Sequence, residues 1–402
     1  MRSAWGSEPM LARSDLLLLS LTRDGRLSNP RPFDTLQQRL PSATDCFVFC
    51  HGWLNDYVEA RDGAQRFFAQ LDVALRPLGE RVVPLRVAIH WPSKPFANGE
   101  TERGGTRGAP VPEIFGALGE LGRRQPGLFA RLLPALCEAE VPLGAEDEIE
   151  LDALLRLADQ GAERGDVTLS PLYALSFWLM KRRAGQVGER LGRELLAPAW
   201  SALGDRAPRL HLIGHSFGAK LASATVLAGL RPQSLVLLLA AFSAYAFAEE
   251  VPGAKRPGSY RPVITGRMVA DRIVALRSDH DRALSRLYPS VTWGTQVERA
   301  PANRGRLTHV REVVARSAMG AVGALGVGAA EMELGAAQTA GLPHGVVTVD
   351  GSRVVTRDEW LIGAHRDIYH DEIATLVLLA AGLLTGSPDG LRARRLSPSS
   401  VS

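Results

Sequence analysis

The stretch Leu210-His211-Leu212-Ile213-Gly214-His215-Ser216-Phe217-Gly218-Ala219 joins an apolar run to the start of an apolar helix through two glycines that bracket a serine. Leu210 to Ile213 reads as a short strand and Ala219 to Gly229 as a helix ended by its glycine. A strand that turns into a helix within five residues needs Gly214 and Gly218, because a Cβ at either would crowd the neighbouring backbone. The turn puts Ser216 at a helix N-terminus, where main-chain N–H groups and the helix dipole favour developing negative charge. Gly214 to Gly218 is the one G-x-S-x-G in the chain, and its strand–turn–helix setting is the one that motif requires. The plainer alternative is a glycine-rich strand end with an incidental serine.

Outward from this turn, apolar runs and helix patterns alternate. Asp15 to Leu21, Asp45 to Cys50 and Arg86 to His90 read as buried strands, and Asn55 to Leu75, opening on the cap-type residues Asn55 and Asp56, reads as a helix. Phe177 to Leu203 reads as a long helix, Ser234 to Leu239 as the central strand, Arg272 to Arg277 as another strand and His370 to Leu384 as a final apolar helix. Val346 to Val349 and Val354 to Thr356 flank Asp350-Gly351, a hairpin signal. Strand–helix–strand alternation predicts an α/β fold with a mostly parallel central sheet flanked by helices. The expected organisation is a core of residues 1–95 and 173–384, an inserted helical cap at 96–172 and a disordered Ser/Pro/Arg-rich tail at 385–402. Ser317 to Ala330 is uncharged and carries four glycines. It reads as a close-packed weak helix or mobile loop, with a lid or lipid-touching surface as the sharper alternative.

With 402 residues, 46% hydrophobic and 22% charged, the composition excludes a mostly disordered chain, a collagen or a coiled coil. No run of 18 uncharged apolar residues predicts a transmembrane helix, and Leu16 to Leu19 lacks the flanks of a signal peptide, so a cytoplasmic protein is expected. Cys46, Cys50 and Cys137 are too few for a disulfide framework and read as buried thiols. The net charge of +4 comes from 47 Lys and Arg against 43 Asp and Glu. These are scattered rather than clustered, which argues against nucleic-acid binding. H-E-x-x-H and G-x-x-x-x-G-K-[ST] are absent, so no metal or cofactor is expected, the weak cation cluster Asp279-His280-Asp281 aside.

A serine hydroxyl needs a base within hydrogen-bond reach, and the base needs an orienting acid. Behind a G-x-S-x-G turn these follow in the order acid, then histidine. Asp281 and Asp279 lie on the loop after the strand Arg272 to Arg277. Asp281 is the favoured acid, and either residue could instead cap the next helix. His365, in Gly363-Ala364-His365-Arg366-Asp367, is the favoured base. His370, beside Asp371 and Glu372, competes as a capping histidine, and His280 and His309 are weaker candidates. An oxyanion hole needs two converging main-chain N–H groups. Phe217 and Trp53, the latter in His51-Gly52-Trp53 after the strand ending at Cys50, are the expected donors, with His51 holding the loop.

These pieces in this order resemble the α/β-hydrolase superfamily, from about Asp15 to Leu384 apart from the insertion. The segments Phe47 to Trp53, Ser278 to Leu284 and Gly363 to Tyr369 look like those of bacterial lipase- or esterase-like serine hydrolases. The resemblance implies a triad of Ser216, Asp281 and His365, oxyanion-hole roles for Trp53 and Phe217, and cleavage of a small-molecule or lipid ester through an acyl-enzyme. Apolar cap residues such as Ile114, Phe115, Leu128 and Phe129 favour acyl chains. The alternatives are acyl transfer to another acceptor, amide or thioester cleavage by the same triad, and a catalytically silent binding protein of this fold. Oligomeric state is not legible.

Overall fold

The computed structural model describes residues 16–94, 171–252, 256–288, 317–359, 362–386 and 392–393. Eight strands form one sheet: β1 (Leu16–Ser20), β2 (Asp45–Cys50), β3 (Pro84–His90), β4 (Arg209–His215), β5 (Ser234–Leu238), β6 (Arg272–Arg277), β7 (Ala330–Glu333) and β8 (Gly345–Asp350). Their order is β1-β3-β2-β4-β5-β6-β8-β7, and every neighbouring pair is parallel. This is an α/β architecture consistent with the α/β-hydrolase fold. Strands such as β2 (Asp-Cys-Phe-Val-Phe-Cys) and β5 (Ser-Leu-Val-Leu-Leu) are buried along their whole length, because helices cover both faces of the sheet.

The helices are α1 (Arg31–Arg39), α2 (Tyr57–Leu75), α3 (Pro171–Arg190), α4 (Phe217–Leu227), α5 (Leu334–Ala340) and α6 (Asp371–Ala380), beside shorter turns. Asp56 caps α2 in a reciprocal box with Glu59, and Lys94 ties both carboxylates to the end of β3. The chain leaves β2 towards β3, then returns across the sheet to β4 on the other side. Right-handed crossovers therefore put α2, packed on α6, and α3, packed on α4, on opposite faces. The reversal of direction beside β2 and β4 opens a crevice at their carboxyl ends, where α/β folds take their ligands.

Several expectations change. The hairpin at 346–356 does not form. β8 already has β6 on one side and β7 on the other, so neither edge is open to a returning strand. Asp350 instead binds Arg277 and Ser352, and residues 351–355 turn over the acid-bearing loop. The long helix expected over Phe177 to Leu203 begins at Pro171. It passes through a π-type turn at Leu191–Leu196 before Ala197–Ser201. β7, α1 and α5 carried no strong signal: β7 is four mostly exposed residues at a sheet edge.

The first part of the glycine-rich segment is close-packed. Ser317, Ala318 and Met319 are buried, and a Cβ on Gly320 would lie 2.4 Å from the Leu239 carbonyl carbon. The Gly320 carbonyl accepts from Ser278 N–H at 3.2 Å, bracing the loop after β6. Cys46 and Cys50 are buried free thiols that burial pushes up in pKa. All but the last two residues of the expected cap, with Cys137, His309 and most of the tail, lie outside the described residues. Within the tail, Leu384–Thr385 pairs antiparallel with Arg392–Ala393. No described helix is long and apolar enough to cross a membrane.

Candidate active site

Ser216 sits where β4 turns into α4, and it pays for the turn in backbone strain: φ is +56° and ψ −121°, a region L-residues rarely occupy. Its neighbours hold it there. Ser216 N–H donates to Leu238 C=O at 3.0 Å, and Ser216 C=O accepts from Ala219 and Ala241 N–H at 3.1 and 3.2 Å. The two flanking glycines are obligatory. A Cβ on Gly214 would lie 2.4 Å from Ala219 Cα, and one on Gly218 would lie 2.1 Å from Cys50 O.

Three loops bring the other groups to the hydroxyl. Asp281, on the loop after β6, is fully buried, and its Oδ1 accepts from Leu284 N–H at 3.0 Å. Its Oδ2 lies 2.7 Å from His365 Nδ1. His365 Nε2 lies 2.8 Å from Ser216 Oγ. A carboxylate can only accept, so Nδ1 carries the proton and Nε2 presents its lone pair to the serine hydroxyl. The loop carrying His365 is tied to the acid loop: Ala364 N–H donates to His280 C=O at 2.9 Å, and Ala283 N–H to Ile362 C=O at 3.1 Å.

The competing candidates go elsewhere. Asp279 is 68% exposed and pairs with Arg277 at 2.6 Å. The Asp279 and Asp281 carboxylates thus serve different partners and do not converge as a cation site. Among the described residues, no group of three or more His, Cys, Asp or Glu could hold a metal. His370 stands at the start of α6 and bonds Asp367 at 2.8 Å.

The loop 51–55 packs on the serine. A Cβ on Gly52 would lie 2.9 Å from Ser216 Cβ, and the Trp53 and Phe217 rings meet at 6.0 Å. The two residues expected to donate N–H groups therefore sit on the two chain segments that meet at Ser216. Asn55 Nδ2 donates to the Gly52 and Trp53 carbonyls at 3.1 and 3.0 Å. His51 Nδ1 donates to Gly52 C=O at 2.8 Å, while its Nε2 accepts from Trp91 N–H at 3.3 Å. Burial pulls His51 down to about 3 and the neighbouring His90 to about 4. Both rings are neutral props of the loop, the part expected of His51.

Two features escaped the sequence reading. The first is His215, the residue before the serine. It is buried, and its Nε2 lies 2.7 Å from the His365 carbonyl oxygen. Burial, with the nearby His365 adding to it, lowers its pKa to about 3. A histidine inside a tight buried turn was the available signal. The second is another Ser–His–carboxylate array at the amino-terminal end of the sheet. His211 Nε2 lies 3.0 Å from Asp45 Oδ1, and its Nδ1 lies 2.9 Å from Ser234 Oγ. All three residues are fully buried, and Arg209 and Thr44 also bind Asp45.

No family model matches the chain, and comparison with curated proteins and with solved structures finds no significant match.

Proposed function

We propose that this protein is a serine hydrolase of the α/β-hydrolase kind that cleaves carboxylic esters through an acyl-enzyme on Ser216. The observation that carries the reading is His365, hydrogen-bonded to Asp281 through Nδ1 at 2.7 Å and to Ser216 through Nε2 at 2.8 Å. The bonds join residues that are 149 and 84 positions apart in the chain. The strained serine at the head of α4 is the second support.

In the first step Ser216 Oγ attacks the ester carbonyl carbon, and its proton passes to His365 Nε2. The imidazolium is stabilised by Asp281, which stays ionised. The tetrahedral oxyanion takes hydrogen bonds from the N–H groups of Trp53 and Phe217, each worth about 3–4 kcal/mol of transition-state stabilisation. Collapse of the intermediate breaks the bond to the alcohol oxygen, which leaves with the proton from His365. Water, deprotonated by His365, then attacks the acyl-enzyme, releasing the acid and regenerating Ser216. The substrate is a small-molecule or lipid ester.

A fluorophosphonate probe tests this directly. Wild type is expected to take one label, on Ser216, and Ser216→Ala to take none although Ser234 is still present. Equal labelling of the two proteins, or no labelling of wild type, ends the proposal. A series of p-nitrophenyl esters of increasing chain length then ranks acyl specificity.

A further inference from the structure

We infer that His215 is a positioning residue for the base: it clamps the loop carrying His365 to the serine turn through one main-chain hydrogen bond. The inference rests on the acyl-transfer reading above and adds a role that the three-residue array does not contain.

His365 lies on a loop held firmly on its far side, against the acid loop. Its own main chain makes one hydrogen bond among the described residues: the carbonyl oxygen accepts from His215 Nε2 at 2.7 Å. A carbonyl cannot donate, so Nε2 of His215 carries the proton and Nδ1 carries the lone pair. That tautomer is imposed by the contact.

His215 is well placed to act as the clamp. It precedes Ser216 directly, so whatever it holds is held relative to the nucleophile. The two rings lie 5.2 Å apart at their centroids. On its other side, a Cβ on Gly52 would come within 3.2 Å of His215 Nδ1, so the ring is wedged between the base loop and the loop carrying Trp53. One buried side chain thus touches three of the four segments that build the site: the serine turn, the base loop and the oxyanion loop.

The chemistry needs such a clamp. His365 gains and loses a proton twice in each turnover, and its Nε2 must stay within hydrogen-bond range of Ser216 Oγ throughout. A displacement of about 1 Å in such a site costs on the order of 100-fold in rate. The clamp must also not compete for the proton. Burial keeps His215 neutral, so the charge formed in turnover stays on His365.

The test compares three substitutions by the rate of fluorophosphonate labelling and by kcat and KM on a p-nitrophenyl ester. His215→Gln sets an amide N–H near the position of Nε2. His215→Asn sets one near Nδ1, short of the carbonyl. His215→Leu removes the donor and keeps the bulk. His215→Leu and His215→Asn are expected to lose about 10- to 100-fold in kcat and in labelling rate, with KM changed by less than about twofold. His215→Gln is expected to recover most of the loss. If His215→Leu does not fold, the contrast between the Gln and Asn variants decides alone. A Leu or Asn variant that turns over like wild type, or a Gln variant no better than Asn, overturns the clamp while leaving the hydrolase reading intact. A wild type that takes no label at Ser216 overturns both.

Discussion

The same sheet carries two arrays of serine, histidine and carboxylate, one at each end. At the carboxyl ends of the strands, Ser216, His365 and Asp281 come from three separate loops, and the His365 side chain is 14% exposed. At the amino-terminal end, Ser234, His211 and Asp45 stand on the neighbouring strands β5, β4 and β2, and none has any exposure. The hydrogen-bond chemistry is nearly the same, with the ring reversed. His365 turns Nδ1 to its carboxylate, whereas His211 turns Nε2. The difference lies in access and mobility. The lower array has its hydroxyl on a regular strand, and all three of its side chains are closed off from solvent. Its job is to satisfy polar groups buried between layers. Three residue types within bonding distance are therefore insufficient to identify a reactive site. A strained turn, a partly exposed histidine and converging loops set the upper array apart as the candidate.

The largest expected effect separates the carboxylates. Asp281→Asn is expected to lower kcat about 10⁴-fold, since an amide cannot hold His365 in the tautomer that leaves Nε2 open. Asp279→Asn is expected to stay within about twofold of wild type. Steady-state ester hydrolysis measures both, and a reversed pattern moves the acid to the exposed residue. The lower array should respond in stability instead. Asp45→Ala leaves His211 and Arg209 without their shared partner and is expected to cost about 3–5 kcal/mol by urea denaturation. The probe should still label the folded variant on Ser216. Loss of labelling with unchanged stability would erase the distinction between the two ends.

The remaining effect is on pH. Burial pulls the His211 ring below its ordinary value, outweighing the hydrogen bond to Asp45. His51 and His215 sit at about 3 and His90 at about 4. An unfolded histidine titrates near 6.5, so below that pH the unfolded chain binds more protons and stability falls. Burial raises the Asp45 carboxyl, but His211, Arg209 and Thr44 together hold it below the ordinary value. Its contribution is therefore present above about pH 4 and disappears only as pH falls through its lowered value. The urea midpoint is expected to drop steadily between pH 6.5 and 4, and less steeply in His215→Gln. A flat midpoint across that window contradicts the neutral buried rings.

Much of this site was legible because its parts are local words. Gly214 to Gly218 declares a turn that only glycines permit, and Ser278 to Asp281 and Gly363 to Asp367 follow in the order the chemistry needs. The array of Asp45, His211 and Ser234 was not legible, since each residue reads as an ordinary polar position at a strand end or within an apolar run. The failed hairpin at Asp350-Gly351 has a similar cause. A turn signal says that the chain bends, whereas the partner it bends towards depends on which strand edges are already filled.

The order of amino acids by itself determined the alternating strands and helices, the strained serine turn and a short list of residues for the acid and the base. Apolar period and glycine geometry are properties of a few adjacent residues. Only the tertiary structure decided that Asp281 rather than Asp279 faces the ring, that His215 reaches the His365 carbonyl, and that a second array lies closed within the sheet. Those outcomes depend on burial and on contacts between segments far apart in the chain, which no local pattern encodes.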